Sequence, residues 1–389
     1  MRKYVLIIIL YFFFAVSCKR EVNDSNVVIN PERFIKSEIK ISEIGESVQY
    51  IPLDFTPPLN FIIELQIVDD NIFLVSGGGN KGAIYKYDIK GNFLYSVGKT
   101  GRGPGEYRYG FMFTVDRKNE KVFVLDKPKI LTYSFSGEFL SDFLLPDTEP
   151  NFDAIRYFNN KLFLFENIKY GKAKYNWVVL DTLGKIESFK KNSLPQFKSI
   201  NAFMDKTVSE FNGRINYWNK FNDTIFSVDS EGYIAKYIFD QGDFRVTPEV
   251  VDNEKYFFGN CFRPQNIIET EKYLIIKYFM SGREVYSVFN KEENFFKSIE
   301  YDSSEVKSKG FINDIDGGLS LNPFGYFTKG KSEYIVSWFF PYELNDHLST
   351  DAFKNSTPKS PEKKKALERL ANSLNENDNP VLMLVKLKK

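Results

Sequence analysis

The chain has 389 residues, with 52 Lys+Arg against 51 Asp+Glu. This balance leaves no electrostatic footprint for nucleic acid or another polyanion. Two cysteines exclude a disulfide-stapled scaffold, and a single histidine excludes a multi-histidine zinc or iron centre. Aromatic residues make up 17% of the sequence, which suits strands packing flat side chains between facing sheets.

Arg2 and Lys3 precede an apolar run over residues 5–16, and Ser17-Cys18 follows. The run is too short and wrongly flanked to span a membrane, so residues 1–17 read as a signal peptide. AVSC (residues 15–18) resembles a bacterial lipobox, which implies Cys18 as a lipidated residue and acyl chains as a membrane anchor. An ordinary secretory signal with an incidental cysteine is the alternative. Residues 18–46 are expected to hold that cysteine and a polar tether.

VQYIPLDF (residues 48–55) alternates as a strand and is placed to join the last unit of a ring and close it. FIIELQIVDD (61–70) opens the first full unit. From there one hairpin recurs: IYKYDIKGNFLYSVG, ILTYSFSGEFLSDFL, WVVLDTLGKIESFKK, IFSVDSEGYIAKYIF and, with its glycine lost, VYSVFNKEENFFKSI. The turn glycines Gly91, Gly137, Gly184 and Gly232 are 46, 47 and 48 residues apart. A second strand precedes each hairpin in phase: NIFLVS, KVFVLD, KLFLFE, RINYW, YLIIKYF, and then YIVSWFF in a last group. Periods of roughly 40–50 residues with four strands each are the signature of propeller blades. The expected fold is all-β, a six-bladed β-propeller of four-stranded antiparallel blades over residues 47–389. A β-sandwich with chance spacing and a seven-bladed ring are the alternatives. SPEKKKALERLANSLN (360–375) predicts one short C-terminal helix, with Ser360 as N-cap, Pro361 in first position and Leu367, Leu370 and Leu374 on one stripe. NPVLMLVKLK (379–388) predicts a closing strand.

GKTGRGPGEY followed by KVFVLDKPKILTYSFSGEFL resembles NHL-type propeller repeats. Together with KFNDTIFSVDSEG, FINDIDGG and NENDNPVLMLVKLK, it is similar to the six-bladed β-propeller lipoproteins common in Bacteroidetes. The resemblance implies the fold and a lipid anchor in the outer membrane, on either its periplasmic or its surface face. It brings no catalytic residues.

Four places invite a site. GRGPGEY (101–107) is glycine-rich but lacks the ending and the helix of a phosphate loop. Arg102 and Glu106 there form a local ion pair or, with Tyr107, face a ligand. The insertion over 242–266 carries Arg245, Arg263 and Cys261 among aromatics, and reads as a ligand loop or as a short helix and strand packed on the body. FINDIDGG (311–318) sets Asn313, Asp314 and Asp316 at a spacing that suits calcium or, more simply, an Asx-stabilised turn. His347, in PYELNDHLSTD, reads as a surface residue of a polar loop. Asp116, Asp126, Asp181, Asp223 and Asp229 fall at strand ends, as turn residues do.

With no catalytic residues in evidence, the sequence favours a membrane-anchored propeller that binds a protein, peptide or glycan and needs no cofactor. A hydrolase or lyase using carboxylates and a divalent ion is the alternative, and a ring of carboxylates in the channel would favour it.

Overall fold

The computed structural model describes residues 27–77, 82–145, 152–166, 174–195, 206–229, 231–302 and 308–389. Six sheets surround a central channel, and the strands of each run in chain order from an innermost strand outward, except that strands from the N-terminal segment form the outer edge of blades 4, 5 and 6. Blade 1 begins at Ile62–Val68, blade 2 at Phe113–Asp116, blade 3 at Ala154–Phe158, blade 4 at Val208–Phe211, blade 5 at Arg263–Glu269 and blade 6 at Gly325–Lys329. The second strands read as continuous apolar runs because both of their faces are covered; Asn71–Ser76 is buried from Ile72 onward. Fourth strands sit at the rim, and Ile186–Lys191 alternates half-buried with exposed.

Repetition of the hairpin has a backbone cause. Gly91, Gly137 and Gly184 adopt φ of 93°, 83° and 95°, a left-handed region that disfavours a side chain. At Gly91 a Cβ would also lie 2.0 Å from the Pro52 carbonyl of the neighbouring blade. The aspartates before these turns accept backbone N–H groups: Asp88 from Lys90 and Asn92, Asp181 from Leu183 and Lys185. Asp116 and Asp229 do the same at their own turns.

The core is divided among the seams between consecutive blades. Phe73, Tyr107, Phe113 and Tyr133 fill the first seam. Phe163, Trp177 and Tyr217 fill the third, with ring centroids 5.0–6.0 Å apart. The last seam closes the ring. Gly45–Pro52 pairs antiparallel with Val381–Leu387, so the outermost strand of blade 6 comes from the N-terminal side, as VQYIPLDF suggests. Asn379, 2% exposed, locks the junction by accepting from the Leu59 N–H at 2.6 Å and donating to the Pro57 carbonyl at 2.8 Å.

Expectation and structure part over residues 18–46. From Val27 onward this segment is not a tether. Val27–Ile29 adds a parallel fifth strand to blade 4, and Ile35–Lys36 does so on blade 5. Apolar residues spaced through the polar stretch explain the difference: Ile29, Phe34, Ile39, Ile41 and Ile44 are buried, and Phe34 stacks on Phe296 at 4.8 Å. Residues 1–26, with the signal peptide and Cys18, lie outside the described residues.

The C-terminal helix is Pro361–Ser373, with Leu367 buried in the seam between blades 5 and 6. Ser360 occupies the N-cap position without a side-chain capping bond. His347 is not in a loop. It lies in the helix Pro341–Ser349, where its Nε2–H donates to the Gly317 carbonyl at 2.8 Å and its ring meets Phe353. Proline at the first helical position started a helix where the polar residues suggested a loop. Among the described residues, no helix is long and apolar enough to cross a membrane.

Replacing Phe34 by Ala tests the strap. A large core-type deletion of this kind costs about 3 kcal/mol in urea unfolding. An unchanged midpoint would return residues 27–44 to the role of a tether.

Candidate functional site: the charged channel

The first strand of every blade lines the channel, so a charge on such a strand faces either the channel or a neighbouring blade. Ion pairs between blades that are not neighbours show which charges face the channel. Glu64 of blade 1 lies 3.4 Å from the Arg156 guanidinium of blade 3 and 3.8 Å from the Lys206 ammonium, just ahead of blade 4. Lys206 also sits 3.3 Å above the ring of Phe324, which leads into blade 6. Four blades therefore converge on one cluster. Its cations outnumber its carboxylate, and both contacts are longer than the roughly 2.7–2.9 Å of a tight charged hydrogen bond. Burial pushes the Lys206 ammonium down to about 8, with Glu64 opposing and Arg156 adding to the fall.

Position is fixed by ordinary backbone bonds. Lys206 and Asn266 form a parallel bridge between blades 4 and 5, and the Asn266 amide donates to the Pro323 carbonyl at 2.8 Å. Gln66 bonds both the Phe113 carbonyl and the Val115 N–H of blade 2. The Thr114 hydroxyl accepts from Tyr157 N–H of blade 3 at 2.8 Å. These links fix the first strands to one another, so the channel is preorganised.

Glu210 stands on the inner strand Val208–Phe211 of blade 4. Among the described residues its carboxyl has neither a hydrogen-bonding partner nor a counter-ion. The side chain is exposed to solvent, while the protein packed near it raises its carboxyl. Burial first, and then the Glu333, Glu271 and Glu210 carboxylates, hold the Tyr326 hydroxyl well above its usual range. That hydroxyl donates to Glu333 at 2.6 Å.

None of the sequence-predicted residues belongs to this cluster. Arg102 is exposed, and Glu106 accepts from the Gly103 N–H at 2.8 Å, which caps its own loop instead of pairing with Arg102. Tyr107 is fully buried. Its hydroxyl accepts from Ile84 N–H at 3.1 Å and donates to the Val97 carbonyl at 2.8 Å, so it is a pin in the seam between blades 1 and 2 and not a ligand contact. Arg245 pairs at 3.6 Å with Asp223. Arg263 lies over the rings of Phe257, Phe258 and Phe279. The insertion folds into the helices Pro248–Val251 and Glu254–Asn260, under which Cys261 is buried with Phe221, Val246 and Phe257. This is the packed alternative to a ligand loop.

FINDIDGG is an Asx-stabilised turn whose oxygens are already engaged. Asn313 Oδ1 accepts from Ile315 and Asp316 N–H groups, and Asp316 Oδ1 accepts from Tyr50, Asn313 and Gly318. Burial raises the Asp316 carboxyl. Asp314 turns the other way, to Ser42 and Lys359; burial opposes its charge, but these partners hold its carboxyl below the usual range. The two carboxylates do not converge, and no group of three or more His, Cys, Asp or Glu among the described residues is arranged to hold a metal ion.

The architecture and its plugged channel define a six-bladed β-propeller of four-stranded blades. The chain belongs to a family described as a domain of unknown function, DUF4934, whose model matches residues 26–386. It is similar to a Bacteroides fragilis protein described as exported, with 16% identity over 94% of this chain and 100% of that one and a TM-score of 0.69. It is also similar to a member of the DUF4221 family from Bacteroides vulgatus, with 11% identity over 89% and 98% of the two chains and a TM-score of 0.51. At these identities the likeness is one of fold. No curated protein matches the chain.

Two measurements check the site. Glu210→Gln removes a carboxyl that holds its proton in the folded state to about pH 7, against about 4.3 in an unfolded chain. Wild-type stability from this group is present below the unfolded value and is lost as pH rises through the folded one. The variant therefore matches wild type at pH 4 and melts slightly higher at pH 8, the effect being damped by solvent at an exposed side chain; equal melting at both pH values would show that the protein around Glu210 does not disfavour its charge. Adding millimolar calcium after chelator treatment leaves the melting temperature unchanged, because Asp314 and Asp316 are committed elsewhere. A clear rise would restore a calcium site there.

Proposed function

We propose that this protein is an extracytoplasmic, lipid-anchored propeller that binds a ligand in its channel and performs no chemistry on it. The observation that carries the reading is the charged cluster of Glu64, Arg156 and Lys206, where side chains of separate blades meet and two cations face one carboxylate. The channel holds a plug of mixed charge instead of the ring of carboxylates that would favour a hydrolase or lyase. The exported character of the Bacteroides fragilis relative supports the location, and the NHL-like hairpins and the AVSC sequence support an anchored envelope protein of the Bacteroidetes type, in the outer membrane. A disc with a preorganised channel suits a small ligand or the end of a larger peptide or glycan partner.

Two experiments separate the parts of this reading. Metabolic labelling with an alkynyl fatty acid marks the wild type, and Cys18→Ser loses both the label and the membrane fraction. A labelled serine variant would end the anchor. Separately, the small-molecule fraction of an envelope extract raises the melting temperature of the wild type and leaves the Arg156→Met/Lys206→Met double variant unmoved. Equal shifts in the two proteins would place binding outside the channel.

A further inference from the structure

The seam that closes the ring holds a cleft of about 370 Å³ between blades 6 and 1. That volume suits a small molecule and not a polymer. Blade 6 and the closing strand make one wall. There Phe327 and Tyr334 pair across neighbouring strands and stack at 4.8 Å, and Leu384 stands opposite Gln49. Ile89 and Lys90, in the hairpin turn of blade 1, make the other wall. The floor is side-chain carbon: Ile51, Phe327 and Leu384 are each at most 5% exposed. Polar groups stand at the mouth, where Gln49, Lys90 and Lys329 are exposed. Lys329 is neutralised by Asp70 at 2.5 Å, and Lys386, in register with Tyr334, by Glu46 at 2.8 Å. Lys90 has no such neighbour. Among the described residues its ammonium has no hydrogen-bond or ion-pair partner, and neither does the Gln49 amide. Asp88, two positions back, spends its oxygens on the Lys90 and Asn92 N–H groups and on the Asn92 amide.

We propose that this cleft binds a small monocarboxylate with an apolar body. The body lies on Phe327, Tyr334 and Leu384, and the carboxylate is held at the mouth by the Lys90 ammonium and the Gln49 amide. The chemistry of the walls selects this class. A sugar or a bare peptide segment would put polar groups against a carbon floor, where they lose water and gain no partner. A wholly apolar ligand would make no use of Lys90. A dianion would bring a second charge to lysines that Asp70 and Glu46 already neutralise. One unpaired cation above an apolar floor matches one carboxylate on an apolar body. The site is separate from the cluster of Glu64, Arg156 and Lys206, none of which lines the cleft. Its walls come from the first blade, the last blade and the closing strand, so the ligand binds only the closed ring and holds it closed.

Isothermal titration calorimetry on the full-length protein at pH 7.5 tests this with 3-phenylpropionate and its uncharged amide, 3-phenylpropanamide. The wild type is expected to bind the acid about fivefold more tightly than the amide, the size of effect that one ion pair at a solvent-facing mouth supplies. Lys90→Met is expected to bind the acid no better than the amide, with its affinity for the amide unchanged. Retained amide binding shows that the variant is folded around the cleft, and circular dichroism checks the rest of the fold. The Arg156→Met/Lys206→Met variant is expected to bind the acid as the wild type does. The proposal is overturned if the acid gives no heat of binding up to about 10 mM, or if the amide binds the wild type equally well. It is also overturned if Lys90→Met keeps the preference for the acid. Loss of acid binding in the channel variant would overturn it too, by moving the ligand from the cleft to the channel.

Discussion

The fold depends on one non-covalent junction. A propeller is a set of sheets that cannot cover their own faces, and they cover each other only if the first and last blades meet. Here the meeting is made by Gly45–Pro52 alongside Val381–Leu387, secured by Asn379. Without that strand blade 6 would expose an edge, the seam between blades 6 and 1 would open, and Leu382 and Leu384 would lose their packing partners. The channel is downstream of the same junction. Glu64 can reach Arg156 and Lys206 only in a closed ring, since the three residues belong to separate blades.

The charged channel shows what closure makes possible. Seams are apolar and aromatic, so they can be long and tolerant of exchange. The axis is the one place where side chains from four blades approach without belonging to a seam. Charges there are costly to desolvate, and Glu64, Arg156 and Lys206 offset one another only in part. That cluster, and not the more conspicuous loops, carries the functional argument.

How much of this was legible in the sequence differs by level. The blades were legible because the hairpin turns favour glycine at a left-handed position and a polar cap before it; Gly91, Gly137 and Gly184, with Asp88 and Asp181 at two of these turns, mark them at near-equal intervals. The closing strand was legible from its alternation. The strap was not, because its apolar residues are spread singly through polar ones and are buried by strands more than 200 positions away. The channel was missed for a similar reason. Glu64 in FIIELQIV, Arg156 in AIRYF and Glu210 in VSEF look like the polar half of ordinary alternating strands. A signal was present all the same: they are charges on the first strand of a blade, where the polar side faces the axis and not the solvent rim. Loop residues such as Arg102 and Asp314 drew attention through glycine and Asx chemistry, and that chemistry serves the turns themselves.

The strap also bears on how the chain can be made. Asn30 bonds Asp240 across 210 positions, and Glu46 pairs with Lys386 across 340. The residues synthesised early are thus the edge cover for blades 4 and 5 and the outer strand of blade 6, none of which exists until late. Such long-range closure carries a large loop entropy before any contact rewards it, and slows folding accordingly. Blades 1 to 3 can assemble as local hairpins while the strap waits beside them with Ile29, Phe34 and Ile41 unburied. For a chain read as exported this ordering is useful: a protein that cannot finish its ring until its last strand emerges stays threadable for the whole of its passage.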